Sequence, residues 1–414
     1  MAVLVLAASP SVALQPLNFF IAAARERNPD TRQARANLAE QDAQVLKALG
    51  MQLPGISLKE SYERNQYQVF LEVLGSTYLI QPRDQWLGTA TLTVPLVDLA
   101  SFGRIVAART NAESFARTLD ATLLSVEGQT AQDYFQLLAD LALVATAQNY
   151  LEVSRQNLRL TETKLRAGAA TRLDVDRATA DVEQQLQQLA SANLQVSLAS
   201  QELESNTSIA PELSTTIELT DDLHAEPDLP AFEGNLSDVP SVVAAAAATR
   251  AAQQQAEAAR LALVPTLSGN FTEYYTNAPG FEPSRWYWML GLTASWSFDV
   301  TNLANIRSSN ASAAATQAKE DKAWLAARDA IRAYWNTVIA DIAQSRAARA
   351  ERDASVHAVA QARVQYQAGT ATQLDLLQAQ RDAFRAEVTR IQDDANLLNA
   401  RAQLRLSAGR TLVE

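Results

Sequence analysis

The sequence predicts a mainly α-helical chain with a small β part, built as two copies of one unit: two strands, a very long helix and a return helix. Three observations support this prediction. The 414 residues include only 13 glycines and 13 prolines, a composition that favours long helices. The sequence repeats itself at a constant offset of 201 residues. Short segments before each long helix alternate apolar and polar residues, which is the period of a strand.

Composition narrows the possible functions. The formal net charge is −11 and no block of Lys or Arg interrupts it, so no nucleic-acid partner is expected. The absence of cysteine excludes disulfides, thiol nucleophiles and Cys-ligated zinc. The two histidines, His224 and His357, are interpreted as surface residues. No phosphate loop or paired-acid motif stands out, so we expect no catalytic residues, no metal site and no cofactor.

The N-terminus carries an apolar run, AVLVLAASPSVA, that ends in small residues. This pattern is typical of the core and cleavage site of a secretory signal, although the preceding basic segment is absent. We therefore interpret residues 1–13 as the remnant of a signal peptide. A short buried segment at the mature N-terminus is the alternative.

The duplication determines the organisation of the chain. At the offset of 201, Gly168 superposes on Gly369 and Asp174 superposes on Asp375. The same offset holds over about a hundred residues, as rigid helices require and loops do not. Upstream, Pro54 and Pro265 are equivalent at a larger offset, so the first copy carries about ten extra residues between its strands. The other pairs at the offset of 201 are Asp98/Asp299, Ile105/Ile306, Tyr134/Trp335, Leu173/Leu374 and Leu203/Leu404.

A stretch rich in proline, serine, threonine and acidic residues separates the copies (NTSIAPELSTTIELTDDLHAEPDLP). Such a composition is typical of a linker. We expect a first repeat at residues 14–206, a linker with little core of its own at residues 207–240, and a second repeat at residues 241–414.

The long helices are predicted where proline is absent, from about residue 101 to 166 and from about residue 302 to 367. At 1.5 Å per residue, some 65 residues make a helix of roughly 95 Å. Each helix ends at a glycine, in LRAGAATRLD and in YQAGTATQLD. Return helices are predicted from about residue 173 to 203 and from about residue 374 to 406. Their many alanines favour helices laid side by side in a curved wall.

The clearest strand prediction covers residues 286–299, where aromatic residues occupy alternate positions at both ends. Twelve residues on a strand tilted by ~40° span about 30 Å of height, close to the ~25 Å between the aromatic girdles of a membrane barrel. Similar segments begin near residues 56, 86 and 267. A soluble sheet is the alternative, because its strands also alternate. The predicted membrane girdle is Trp86, Trp286, Trp288, Trp296 and Phe298.

Four strands cannot close a barrel, and lipid does not tolerate an open sheet edge. We therefore expect the chain to share its barrel with other copies. Two copies would give eight strands, whose interior is filled by side chains, whereas three give twelve strands and leave a lumen. A barrel with an open lumen is therefore expected to be a homotrimer with a twelve-stranded transmembrane β-barrel.

Two copies of strand, loop, strand, very long helix, glycine turn and return helix resemble the TolC-like outer-membrane efflux family. The most recognisable segments are LRAGAATRLDVDRA and YQAGTATQLDLLQA, and the resemblance extends from NPDTRQARANLAEQDAQ to the C-terminal helix. It implies a trimeric exit duct in the Gram-negative outer membrane, embedded in outer-membrane lipid, with an α-helical barrel in the periplasm. It also implies a periplasmic adaptor (membrane fusion protein) and an inner-membrane RND or ABC transporter as partners. A soluble periplasmic coiled-coil scaffold is the alternative function.

The resemblance implies where the duct closes. Asp375 matches the first of the family's pore-constricting carboxylates, whereas Gln378 stands where a second acid would follow. Tyr366 and Asp174 match residues that latch neighbouring helices, and Ala371 replaces an arginine that helps the latch. We expect an Asp174–Tyr366 contact, so a phenylalanine at position 366 should raise conductance. The expected adaptor-docking turns comprise Gly168, Ala169, Gly369 and Thr370.

Each of these residues also has a structural interpretation. An aspartate at the start of a helix is commonly a cap or a partner of the helix dipole, which would explain Asp174 and Asp375. Gly168 and Gly369 would be left-handed helix C-caps. Thr370 and Thr372 would be solvated turn residues, and Tyr134 and Trp335 would be core residues between helices.

Overall fold

The computed structural model describes residues 14–213, 219–234 and 236–412. Residues 1–13, interpreted above as a signal-peptide remnant, lie outside the described residues. The described chain is mostly helical with a small sheet part, as predicted. None of its helices combines the length and the apolar character needed to cross a membrane.

The elements of the first half come in the order helix, helix, four strands, long helix and return helix. They are α1 (Leu17–Arg27), α2 (Pro29–Gly50), β1 (Gly55–Arg64), β2 (Val69–Val73), β3 (Ser76–Gln81), β4 (Asp84–Val97), α3 (Leu99–Arg166) and α4 (Arg172–Thr207).

The second half follows the same order with two strands instead of four. After a short helix, α5 (Pro230–Glu233), and a 3-10 turn (Leu236–Asp238), it comprises α6 (Pro240–Leu261), β5 (Thr266–Thr276), β6 (Trp286–Ser295), α7 (Val300–Ala368) and α8 (Gln373–Ser407). The long helices and return helices lie where the sequence predicts them. The prediction missed α2 and α6, the helix that precedes the strands in each copy.

Two compact units divide the chain. The first, the helical unit, comprises the described residues within 14–35, 118–243 and 322–412. The second, the strand unit, comprises residues 36–117 and 244–321 and contains all the described strands.

The strand unit contains one antiparallel sheet with the order β1-β4-β5-β6. Its register places apolar residues opposite one another across all four strands, as in the row Ile56, Leu92, Phe271 and Leu290. The neighbouring row, on the opposite face, is polar on the first three strands, where the hydroxyls of Thr91 and Thr272 are 3.1 Å apart, and ends at Met289 on β6. The sheet is therefore amphipathic, because side chains alternate between its faces.

A separate hairpin of β2 and β3 was missed by the prediction. It accounts for the extra residues of the first copy and turns at Leu74 and Gly75, both with positive φ. Its contact with the rest of the strand unit includes the rings of Tyr78 and Phe281, whose centroids are 5.5 Å apart. The sequence does carry a signal for this hairpin, because apolar residues alternate on both sides of a glycine.

The predicted strand at residues 286–299 is too long, because β6 ends at Ser295. Its partner β5 begins at Thr266, immediately after Pro265, which has no N–H to extend the ladder. Beyond that point Asp299 accepts a hydrogen bond from the backbone N–H of Asn302 (2.7 Å) and thereby starts the next helix. Trp296 and Phe298 therefore follow the strand instead of ending it.

Within the strand unit, one glycine is required by a close approach of helices. A Cβ at Gly103 of α3 would lie 2.9 Å from Cδ1 of Leu261 and 3.0 Å from Cα of Ala258, both on α6. A larger residue would force the two helices apart.

The linker contributes more to the core than expected. Phe232 is buried in a cluster with Ile331, Val338, Ile342, Leu397, Ala400 and Leu404. Leu219 is buried with residues of α3 and α8. The buried guanidinium of Arg401 on α8 donates to the carboxylates of Asp221 and Glu226. The linker is therefore anchored to the core of the helices through single side chains, which its polar composition does not reveal.

Candidate functional site at the helical turns

The two glycine turns have the same backbone geometry. Gly168 has φ of +75° and Gly369 has φ of +78°, a left-handed conformation that favours glycine. The N–H of Ala169 donates to the carbonyl of Lys164 (2.8 Å), and the N–H of Thr370 donates to the carbonyl of Gln365 (3.0 Å). These bonds satisfy the last carbonyls of each long helix. The interpretation of both glycines as C-caps is confirmed, and their role in adaptor docking remains a prediction.

The return helices begin with matching capping boxes. The hydroxyl of Thr171 accepts from the N–H of Asp174 (3.2 Å), whose carboxylate accepts from the N–H of Thr171 (2.9 Å). Thr372 and Asp375 make the same pair of bonds at 3.2 and 2.9 Å. Thr372 is therefore an N-cap and not merely a solvated turn residue.

Hydrogen bonds to these caps lower the pKa of both carboxyl groups below the usual value. For Asp174 the main cause is the backbone N–H of Thr171, and for Asp375 it is the hydroxyl of Thr372. Asp375 is exposed and Asp174 is half-buried. Each turn therefore presents a fixed negative charge to solvent at neutral pH, which is compatible with capping and with lining a pore.

The other predicted turn residues differ in accessibility. Gln378, Ala169 and Thr370 are exposed, and the side-chain amide of Gln378 donates to Asp382 (3.0 Å). Tyr366 is buried, with 6% of its surface exposed. The first three are available for contacts with other molecules, whereas Tyr366 is not available in this arrangement.

Tyr366 lies beneath Lys164, a residue that sequence reasoning missed. The Lys164 ammonium donates to the backbone carbonyl of Tyr366 (2.8 Å) and lies 3.6 Å from the centroid of its ring. No hydrogen bond joins Asp174 to Tyr366 among the described residues, because the Asp174 carboxylate is occupied by its own cap. The only local signal for Lys164 was a basic residue in the last turn of a helix.

The end of α3 that precedes the glycine turn packs through polar residues at intervals of three and four positions. Ser154 donates to Asp181 of α4 (2.6 Å), and the amide of Gln373 on α8 donates to the hydroxyl of Thr161 (3.3 Å). The side-chain amide of Asn157 is buried without a hydrogen-bond partner. We name this contact the polar seam, and its members are Ser154, Asn157, Thr161, Lys164, Asp181, Tyr366, Gln373 and Arg381.

The predicted girdle residues all lie exposed on the strand unit. Trp86 packs on the ring of Tyr62, with centroids 4.8 Å apart, and Trp286 packs on Tyr275 at 5.9 Å. The ladder brings these pairs to the same end of the sheet. The remaining members are Trp288 on β6, and Trp296 and Phe298 beyond it.

The histidines are exposed, as expected. His224 forms a small group with Asp221 and Asp222 whose ligand atoms lie within 4.8 Å of one another. The Arg401 guanidinium already donates to Asp221 (3.1 Å) and to the backbone carbonyl of His224 (2.8 Å). This group therefore holds a buried cation of the protein itself.

Comparison with known proteins identifies one family model, described as "Outer membrane efflux protein", that matches residues 20–207 and 235–410. No curated protein sequence matches the chain.

Several solved structures share the fold of the chain. A membrane protein from Pseudomonas aeruginosa is 20% identical, with a TM-score of 0.81 over 95% of this chain and 93% of that chain. The Campylobacter jejuni CmeC outer membrane channel is 16% identical, with a TM-score of 0.82 over 96% and 86%. The open state of the Neisseria gonorrhoeae MtrE outer membrane channel is 20% identical, with a TM-score of 0.77 over 96% and 90%.

Proposed function

The chain belongs to the outer membrane efflux protein family, and from this premise we propose that three copies form one continuous duct through the outer membrane and the periplasm. Proteins of this family are passive channels of the Gram-negative outer membrane and work with a periplasmic adaptor and an inner-membrane pump. The chain is accordingly an efflux protein of the outer membrane that conducts and does not catalyse.

The observation that carries the trimer proposal is the amphipathic four-stranded sheet with two unpaired edges, β1 and β6. Its apolar face is exposed: Leu58 is 80% exposed and Leu290 is 71% exposed. Lipid would cover this face, and pairing β6 of one copy with β1 of the next would remove the open edges. Three copies give a twelve-stranded barrel whose polar face, including Thr91 and Thr272, lines a lumen.

We further propose that the glycine turns form the periplasmic tip of an α-helical barrel. The capped carboxylates of Asp174 and Asp375 would form rings around its entrance, and Gly168, Ala169, Gly369 and Thr370 would dock the adaptor. Their matching caps support this proposal, since both turns present the same backbone and the same charge. The chain would consist of two repeats, at residues 14–206 and 241–414, joined by residues 207–240.

A charge scan of the sheet tests the duct. Lysine in place of Leu290, on the apolar face, should cost about 2–4 kcal/mol at mid-membrane and abolish heat-modifiable trimers in outer-membrane fractions. The matched control is Thr293→Lys, on the polar face of the same strand, which should keep the trimer and change its conductance in planar bilayers. Equal tolerance of both substitutions, with the chain recovered in the soluble periplasm, would instead favour the coiled-coil scaffold.

The substrate class depends on the pump. An RND transporter driven by protons would make this chain an exit for drugs and other small molecules, whereas an ABC exporter driven by ATP would make it an exit for secreted polypeptides. Co-purification of the trimer with the adaptor and pump encoded beside it distinguishes these two cases.

A further inference from the structure

We propose that Lys164 is the residue that ties the tip of the first helical hairpin to the tip of the second and so holds the periplasmic end of the duct closed. This inference rests on the proposed function, because it concerns the regulation of the same tip. It names a side chain, a pair of contacts and a direction of effect that the conduction function alone does not require.

Lys164 of α3 makes two contacts with Tyr366 of α7. Lys164 Nζ lies 2.8 Å from the carbonyl oxygen of Tyr366 and 3.6 Å from the centroid of its ring. The same carbonyl accepts the N–H of Gly369 (3.3 Å), so it belongs to the last turn of α7. An ammonium group at this position neutralises the negative end of the helix dipole and also binds an aromatic face. One side chain of α3 therefore caps the end of α7.

The Lys164–Tyr366 contact is partly shielded from solvent. Tyr366 is buried and Lys164 is half-buried, so the contact is less screened by salt than an ion pair on the surface. The carboxylate of Asp174 accepts hydrogen bonds from its own cap, Thr171, and the Lys164 ammonium is directed to Tyr366 instead.

The packing next to the Lys164–Tyr366 contact is weak. One turn above Lys164, Thr161 meets Gln373 through a single side-chain hydrogen bond of 3.3 Å. The amide of Asn157 and the side-chain oxygen of Gln373 are buried without partners. Separation of the helices here would hydrate these groups, so they do not oppose opening. Lys164 is the member of the polar seam that loses two favourable contacts when α7 moves away.

The two repeats differ at the positions of this contact. At the offset of 201, Lys164 corresponds to Gln365 and Tyr366 corresponds to Leu165. The reverse contact therefore lacks both the cation and the ring. Only the first hairpin supplies the cation and only the second supplies the ring. The comparison of the two repeats therefore does not predict this contact.

Single-channel recording in planar bilayers tests the tie. The variant Lys164→Met removes the cation and keeps most of the aliphatic stem, and we expect its open-state occupancy to rise about fivefold. Lys164→Arg retains a cation and should stay close to wild type. The matched control is Arg166→Gln in the same last turn, because Arg166 donates to Thr163 of its own helix (3.2 Å) and should leave occupancy unchanged.

A second variant separates this tie from a latch through the tyrosine hydroxyl. Tyr366→Phe keeps both the ring and the carbonyl that Lys164 contacts, so this account expects wild-type occupancy, whereas a hydroxyl latch requires an increase. Tyr366→Leu keeps only the carbonyl and should give an intermediate increase.

The outcomes are distinguishable. Wild-type occupancy in Lys164→Met, or an increase in Tyr366→Phe equal to that in Lys164→Met, overturns the tie. Absence of any channel from the wild-type chain overturns the proposed function instead. If Lys164→Met does not assemble, the comparison of Tyr366→Phe with Tyr366→Leu decides: a difference supports the tie, and equal occupancy overturns it.

Discussion

Within the helical unit, α3 and α8 meet in two chemically different regions. In the first, which we name the apolar middle, Ala139 of α3 is buried in one cluster with Leu219, Ile391 and Ala395. In the polar seam, Thr161 of α3 meets Gln373 of α8. The rings of Tyr150 and Phe384 lie between these regions, with centroids 5.1 Å apart.

The spacing of these contacts is the same on both helices. Steps of 11 residues lead from Ala139 to Tyr150 to Thr161, and steps of 11 lead from Ala395 to Phe384 to Gln373. Eleven residues make three turns at 3.67 residues per turn, so the same faces of two antiparallel helices meet at each step. The regions therefore differ in side chains and not in backbone register.

This difference indicates which region can separate. A large buried aliphatic side chain of the apolar middle, such as Ile391, contributes about 1.5–3 kcal/mol that separation would lose. A buried polar atom without a partner costs about 1–3 kcal/mol, which separation would recover. The apolar middle is consequently the fixed part of the contact, and the polar seam is the part that opens.

The largest expected effect is in the apolar middle. Ile391→Ala should destabilise the chain by about 2–5 kcal/mol, because Ile391 is 1% exposed and truncation leaves a cavity. Thr161→Ala in the polar seam should cost less, about 1–2 kcal/mol, since it loses the bond from Gln373 and the bond that Thr161 donates to the carbonyl of Asn157 (2.9 Å). Thermal unfolding of the purified protein in detergent measures both. Equal losses in the two variants would remove the distinction between the regions.

The next prediction is a substitution that stabilises the polar seam. Asn157→Leu replaces an amide whose polar atoms have no partner and should stabilise the seam by about 1–3 kcal/mol. Open-state occupancy in bilayers should fall. Asn149→Leu, at an exposed position of the same helix, is the control and should change neither quantity. Higher occupancy in Asn157→Leu would show that the seam does not limit opening.

A smaller effect is expected at the caps. Thr372→Ala should cost about 1 kcal/mol, because it removes the N-cap of α8 and one of the groups that hold Asp375. Thr372→Ser keeps the hydroxyl and should restore stability. Hydrogen exchange at the amides of the first turn of α8 measures the change locally. Unchanged exchange in Thr372→Ala would mean that the cap does not order the turn.

The smallest effect is that of pH. The folded-state pKa values of Asp174 and Asp375 are lowered, so their carboxylates stabilise the turns at and above the usual pKa near 3.8, and this stability is lost as pH falls below that value. We expect constant exchange at the turns from pH 7 to pH 5 and faster opening below about pH 4. Asp375→Asn should flatten the response of the second turn. Faster opening already at pH 6 would point to another titrating group.

The sequence identified the features that have local signals. Gly168 and Gly369 were found because a left-handed residue after a long helix requires glycine and because both occur at one offset. The capping positions of Asp174 and Asp375 follow from the same local rule. The helices themselves follow from the absence of proline and from their spacing.

The sequence did not reveal features that depend on packing between distant segments. Lys164 and Tyr366 are 202 residues apart, and Arg401 meets Glu226 across 175 residues. Neither contact has a periodic or local signal, and the repeat does not duplicate either one. The sequence-based prediction placed the end of β6 too late, because that end is set by Pro265, which precedes the neighbouring strand β5, and not by the residues of β6.

The most direct test of the opening seam uses the absence of cysteine from the chain. One variant carries Thr161→Cys and Gln373→Cys in the polar seam, and the matched variant carries Ala139→Cys and Ala395→Cys in the apolar middle. Each pair is bridged by a short reducible thiol crosslinker, and single-channel currents are recorded before and after reduction. We expect the bridged seam to abolish the open state until it is reduced and the bridged middle to conduct as before; an open state that persists in the bridged seam would contradict the account.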